Sequence, residues 1–333
     1  MTNATAFTRM SKMTGLLVAG GVFGAVAASA LATSVAPAPA QALDACFSSG
    51  LTGTLKTGSA SCSSSGPLQW AIAIGANTNA EVAGGLFNLA LAVGENSEAY
   101  TFLGTPTDGS SYFNIATAAA GGFARASDGF FNIANARGES SRAFADSGSF
   151  GVARAIGVNA FAGAGVGGDF GLASAFNIAV ARGENSTARA EVGFGNSGLA
   201  FGSRASAIAG LGNGNIARAL GTEAKAQAGG NTPADQASFN IARVAGSNSF
   251  ATAGLIGAER FNIATVIGNE STASAGQGNL NAARVFGNTS VALAGPGNGR
   301  RAIVIGSNQA KSDPPEGASA RRAAASVRSA SQR

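Results

Sequence analysis

A phrase opening on Phe-Asn returns along this chain with alanine at nearly every second place. It reads FNLALAVGENSEA at 87–99, FNIANARGESSRA at 131–143, FNIAVARGENSTA at 176–188, FNIARVAGSNSFA at 239–251 and FNIATVIGNESTA at 261–273. Aligned on the Phe-Asn pair and on the glycine seven residues after the Phe, units begin at Leu68, Phe87, Phe113, Phe131, Phe150, Phe176, Gly195, Gly214, Phe239, Phe261, Leu280 and Gly299. Most steps are 18 or 19 residues. The longer ones place insertions, for example around Thr105–Gly109 and Gly229–Pro233.

Each unit holds two short alternating segments. In the first, the fourth residue is alanine in eleven units and Gly198 in the other, and two places on stands Ala or Val, as in Val244, Val266, Val285 and Val304. A turn such as Gly-Glu-Asn-Ser follows, then a second segment with alanine at alternate positions, as in Ala143 and Ala145 or Ala226 and Ala228. Period two is the signature of a strand. An alanine helix would have to carry Gly and Asn every few residues, and nothing recurs at spacings of three and four. A disordered chain would suit 49 glycines, about twice ordinary usage, but would not hold alanine in phase through twelve units.

Two strands and two turns, repeated, predict an all-β fold: a parallel β-solenoid (β-roll) of about twelve two-strand coils over 68–306 with a thin, alanine-lined interior. Alanine fits between closely facing sheets because anything larger would push them apart. At a rise of about 4.7–4.9 Å per rung, the stack is on the order of 55–60 Å long. The Asn after each Phe (Asn88, Asn114, Asn132, Asn177, Asn196, Asn215, Asn240, Asn262, Asn281) is expected to stack at a corner as an amide ladder. The turn glycine suits positive φ.

The strand face opposite the alanines carries Ile115, Ile133, Ile178, Ile216, Ile241 and Ile263 in one row, with Val152 among them. A second row mixes Leu91, Thr117 and Val180 with Arg154, Arg218, Arg243 and Arg284; a third holds Ile156, Phe201, Leu220, Ile267, Phe286 and Ile305. Either this stripe is the interior, or it is a surface that meets another subunit or a ligand. Unpaired guanidiniums in a thin roll would be costly, which favours the surface.

The ends differ from the body. Residues 1–42 have the layout of a secretory signal peptide: Arg9 and Lys12, an apolar run Leu16–Leu31, and small residues at 38–42. A secreted or cell-surface protein follows, with no integral membrane segment after signal removal. In that oxidising setting Cys46 and Cys62, the only cysteines, predict a disulfide stapling a cap over 43–67, worth roughly 3 kcal/mol in the loop-entropy account. A zinc site is short of ligands, since two thiols have no histidine beside them. Residues 307–333 read as a disordered basic tail. The formal charge of +5 resides in the two ends, so the near-neutral body argues against nucleic-acid binding.

The phrases GENSTARA at 183–190, GNTSVALAG at 287–295 and AIVIGSNQA at 302–310 resemble the head repeats of YadA-type trimeric autotransporter adhesins. The similarity spans roughly 68–310. It implies three chains side by side as a homo-trimer, and attachment to a host-surface, glycan or cell-envelope ligand. The unit here is longer than the family's usual coil, and neither a heptad stalk nor a membrane barrel is seen, so anchoring and self-export are not carried over.

Catalytic signals are weak. The chain has no histidine, which removes His-based triads and the commonest metal ligand. GFGNSG at 193–198 matches a dinucleotide fingerprint, but belongs to the repeat and precedes no helix. Glu95, Glu139, Glu184 and Glu270 supply one turn acid each and skip several coils, too few for a calcium ladder. Glu98 and Glu191 form no evident glycosidase pair. Thr117, Thr187, Thr252, Thr265 and Thr272 are too scattered for an ice-binding rank. The expectation is a non-enzymatic structural or adhesive protein without cofactor or metal; the alternatives are a repetitive-ligand (ice- or glycan-binding) solenoid and a polysaccharide-acting enzyme.

Overall fold

The period-two alternation becomes two parallel sheets laid back to back, with alanine between them. The computed structural model describes residues 44–101, 111–165, 174–230, 237–254 and 257–313. The signal segment, the insertion around Thr105–Gly109, most of the one at 229–233 and the tail beyond 313 lie outside them.

A cap comes first. Strands β1 (Ala45–Ser49) and β2 (Gly53–Thr57) pair antiparallel, and β1 pairs antiparallel with β4 (Trp70–Ile74). β3 (Ser61–Ser64) instead lies parallel to β5 (Asn79–Val82). From β4 and β5 onward twelve coils follow, each giving one strand to either sheet, down to Arg301–Ile305 and Ala310–Asp313. The first sheet has 14 strands and the second 13. β1 alone runs against the stack; β2, antiparallel to it, takes the direction of β4 again and forms the sheet's short, exposed edge.

Cys46 and Cys62 are bonded, with Cα atoms 5.6 Å apart, as the sequence predicted. One lies in each sheet and both point inward, so the bridge ties the sheets together where later coils have facing alanines.

The inward alanines are fully buried from Ala71 to Ala302, joined by Val244, Val266, Val285 and Val304. Strand-forming Ile, Val, Thr and Phe hold the outward positions, which suits the pleat. The tightness of the interior is measurable at Gly198, the one glycine in the alanine column. A Cβ there would come 2.0 Å from the carbonyl oxygen of Arg189 in the opposite sheet.

Both corners are held by buried side-chain ladders. The backbone N–H of Asn132 donates to Oδ1 of Asn114 at 2.8 Å, and that of Gly151 donates to Oδ1 of Asn132 at 2.9 Å. The same link joins Asn177, Asn196, Asn215, Asn240, Asn262 and Asn281 in succession. The amide nitrogens donate to turn carbonyls, as Asn132 does to Ser127 and Gly148. Serines form a second ladder at the other corner: Ser271 and Ser290 donate to the carbonyls of Gly287 and Gly306 and accept from the N–H groups of Ser290 and Gln309 in the following coil. Buried polar groups are tolerated because they are paired in this way.

The last rung corrects a boundary. Ala310–Asp313 pairs in parallel with Val291–Ala294, so the twelfth coil closes beyond residue 306, where the sequence reading placed the start of the tail. Its inward positions are Lys311 and Asp313 rather than alanines, at the last rung among the described residues.

Candidate binding faces

The six isoleucines form one outward row on the first sheet. Ile115 pairs with Ile133, Ile133 reaches Ile178 through Val152, Ile178 reaches Ile216 through Ser197, and Ile216, Ile241 and Ile263 follow in register. Ile133 and Ile178 are exposed and the other four half-buried. The third row is more open, reaching 73% exposure at Ile305.

Charge on this face has one sign. Between Trp70–Ile74 and Arg301–Ile305 the outward positions carry Arg137, Arg154, Arg182, Arg218, Arg243, Arg284 and Arg301, and no Asp or Glu. None of the seven joins an ion pair among the described residues, where the pairs are Arg125–Asp146 and Arg204–Glu223. Arg218 and Arg243 stand directly opposite each other in register, an arrangement of like charges that is unfavourable on its own.

Acid lies along the adjacent edge, in the turn from the first sheet to the second. Glu95, Glu139, Glu184, Glu223 and Glu270 are exposed there and fall in the second, fourth, sixth, eighth and tenth coils. A neutral or basic turn separates each from the next, so neighbours are two rungs, about 9.5 Å, apart. Four of these carboxylates were read singly from the sequence and Glu223 was missed; the alternation appears once the coils are numbered.

At the opposite edge the unit-opening phenylalanines stack. Phe87, Phe113, Phe131, Phe150 and Phe176 have successive ring centroids 4.8–5.2 Å apart with planes within 10°. Each sits at φ of 57–59°, a left-handed backbone uncommon for a bulky side chain. Gly195, Gly214 and Gly299 hold the same position in other coils at φ of 65–68°. That exchange of Phe with Gly was the sequence signal for the strained backbone, and it went unused.

The weaker chemical signals disperse. Glu98 lies on the second sheet in coil two, and Glu191 in the turn after coil six. The 193–198 fingerprint is a turn leading into the strand Ser197–Phe201. Thr117 and Thr265 are on the first sheet; Thr187, Thr252 and Thr272 are on the second, with Thr252 buried. Among the described residues no three His, Cys, Asp or Glu gather as a metal site, and no helix is long and apolar enough to cross a membrane.

Two carboxyls are perturbed. Burial raises the pKa of Asp146 although Arg125 and the Ser127 hydroxyl, 2.8 Å away, oppose it. Arg125 donates to its Oδ2 through Nε at 3.0 Å and through Nη2. Burial likewise raises Glu191 against the pull of Arg189.

No known protein family, curated protein or solved structure matches the chain.

Proposed function

We propose that this chain is a secreted or cell-surface, non-enzymatic structural or adhesive rod that associates with copies of itself, three to an assembly. The observation that carries the reading is the first sheet's outer face, where seven arginines without an acid among them stand among exposed and half-buried Ile, Leu and Phe. An apolar stripe of that length is unusual on a solitary soluble chain. Two copies of the face cannot meet each other, because arginine would oppose arginine. The complementary surface is the glutamate edge, so the contact is heterologous, and a heterologous contact makes a ring when its rotation closes and a filament when it does not. Three members is the number implied by the resemblance to trimeric adhesin heads. The export segment and the disulfide support a location outside the cytoplasm.

Light scattering on the mature secreted chain at micromolar concentration tests this. A mass three times that of the chain, falling as salt screens the contact, is expected. A folded monomer overturns the assembly.

A further inference from the structure

Coil three differs from the other eleven by one residue. Its turn has three residues between the outward Ala119 and Phe123, whereas four lie between Val93 and Glu98 in coil two and between Arg137 and Arg142 in coil four. The missing residue leaves a notch of about 430 Å³ lined by Asn96, Glu98, Gly122, Phe123, Arg142 and Phe144. That volume lies in the range of small-molecule sites. Gly122 keeps its floor open, since a Cβ there would come 2.8 Å from the Ala136 carbonyl and 3.0 Å from the Ser141 hydroxyl. That hydroxyl, fully buried and also lining the notch, has no hydrogen-bond partner, unlike the ladder serines Ser271 and Ser290.

The notch adjoins a line of rings along the second sheet. Tyr100, Phe123, Phe144 and Phe161 follow one another at centroid distances of 5.3, 5.5 and 5.6 Å, tilted by 36–41°. The Phe87–Phe176 rings stack face to face, whereas these rings are tilted to one another and half-buried. Arg125 lies over Phe144 at 5.0 Å and Arg189 over Phe161 at 5.4 Å, which leaves Tyr100 and Phe123 without a guanidinium over them, and of the two Phe123 lines the notch. Glu98 and Arg142 flank Phe123 in register, one rung to either side. The Tyr100 hydroxyl donates to Glu98 at 3.1 Å while accepting from the Asn79 amide at 2.9 Å, so that carboxylate is oriented.

We propose that the notch and the ring line bind a saccharide chain. An apolar ring face between an acceptor and a donor, with opposite charges that cancel, suits a neutral polyol: one face of a sugar packs on Phe123, its hydroxyls donate to Glu98 and accept from Arg142. Rings continuing along the axis over four coils favour an extended chain over a single sugar. The inference deepens the adhesive reading by naming what is bound, and it rests on that reading only for exposure outside the cell.

A glycan array probed with the folded chain, followed by calorimetry with the hexasaccharide of the best-bound class, tests it. The hexasaccharide is expected to bind at least tenfold more tightly than its disaccharide. Phe123→Ala and Arg142→Ala should each weaken binding tenfold or more at an unchanged thermal midpoint, and inserting Asn between Gly121 and Gly122 should abolish it by restoring the full turn. Arg243→Glu, on the other sheet, should leave it intact whatever it does to the mass, which separates failure here from failure of self-association. An array that retains no glycan, or binding indifferent to the notch variants, would overturn the proposal.

Discussion

Phe113 and Phe131 lie with ring centroids 4.8 Å apart and planes 3° apart, each on a backbone at φ 57°. The left-handed conformation costs roughly 1–2 kcal/mol for a residue with a Cβ, and the half-exposed stacked ring returns about as much. Phe131→Gly loses the ring and relieves the backbone together, so its stability in a denaturant titration should stay within about 1 kcal/mol of the parent. Phe131→Val loses the ring and keeps the strain, and should cost about 2 kcal/mol or more. Equal losses for the two variants would mean that the backbone stores no strain at this place.

The asparagine ladder is a different matter, because nothing else reaches its partners. Asn132 accepts from the Gly151 N–H and donates to the carbonyls of Ser127 and Gly148, all in the interior. Asn132→Ala leaves these groups unpaired, and the expected cost is on the order of 3 kcal/mol. Denaturant unfolding of this variant beside a surface control such as Asn135→Ala checks it. A loss under about 1 kcal/mol would show that water takes over the amide's role.

Much of this architecture was legible because the repeat writes the same instruction twelve times. Alanine on alternate positions fixed strands and their inner face, and Asn88 to Asn281 marked a corner. The direction of Ile133 and Ile178 followed from what a thin roll excludes. What escaped was whatever depends on comparing one coil with its neighbours. The missing residue between Ala119 and Phe123 shows in the sequence only as a step of 18 rather than 19, and its place in the turn emerges once pairing partners are known. The corner serines escaped for another reason: a serine after a turn reads as turn chemistry, and only stacking turns Ser271 and Ser290 into a buried ladder. At Ala310–Asp313 the signal vanished, because this last described rung is largely exposed and carries Lys311 and Asp313 at the positions where earlier rungs bury alanine.

Acid should not unfold this rod by way of its buried carboxyls. Burial raises the pKa of Asp146 and of Glu191 above their ordinary values, so the folded state holds those protons more tightly than the unfolded chain does. Their contribution to stability is present below the ordinary carboxylate range and lost as pH rises through the raised folded values. Acidifying from neutral pH toward that range should hold or raise the thermal midpoint. Asp146→Asn, which keeps the shape and removes the titration, should flatten the profile. A midpoint that falls steadily over the same interval would show that the Arg125 pairing outweighs burial.

The register pairing of Arg218 with Arg243 separates the stability of one chain from that of the assembly. Within a chain the two guanidiniums repel, so Arg243→Glu makes an opposite-charge cross-strand pair that favours the fold by about 0.2–1 kcal/mol. Between chains the same change sets a carboxylate in a face proposed to receive the neighbour's glutamate edge, where like charges oppose docking. The variant should therefore be no less stable when dilute, yet should shift toward the monomer in light scattering at micromolar concentration. Glu184→Arg, at the edge of the partner, should weaken assembly alone, and combined with Arg243→Glu should recover part of it. Assemblies indifferent to all three would place the contact on another surface of the rod.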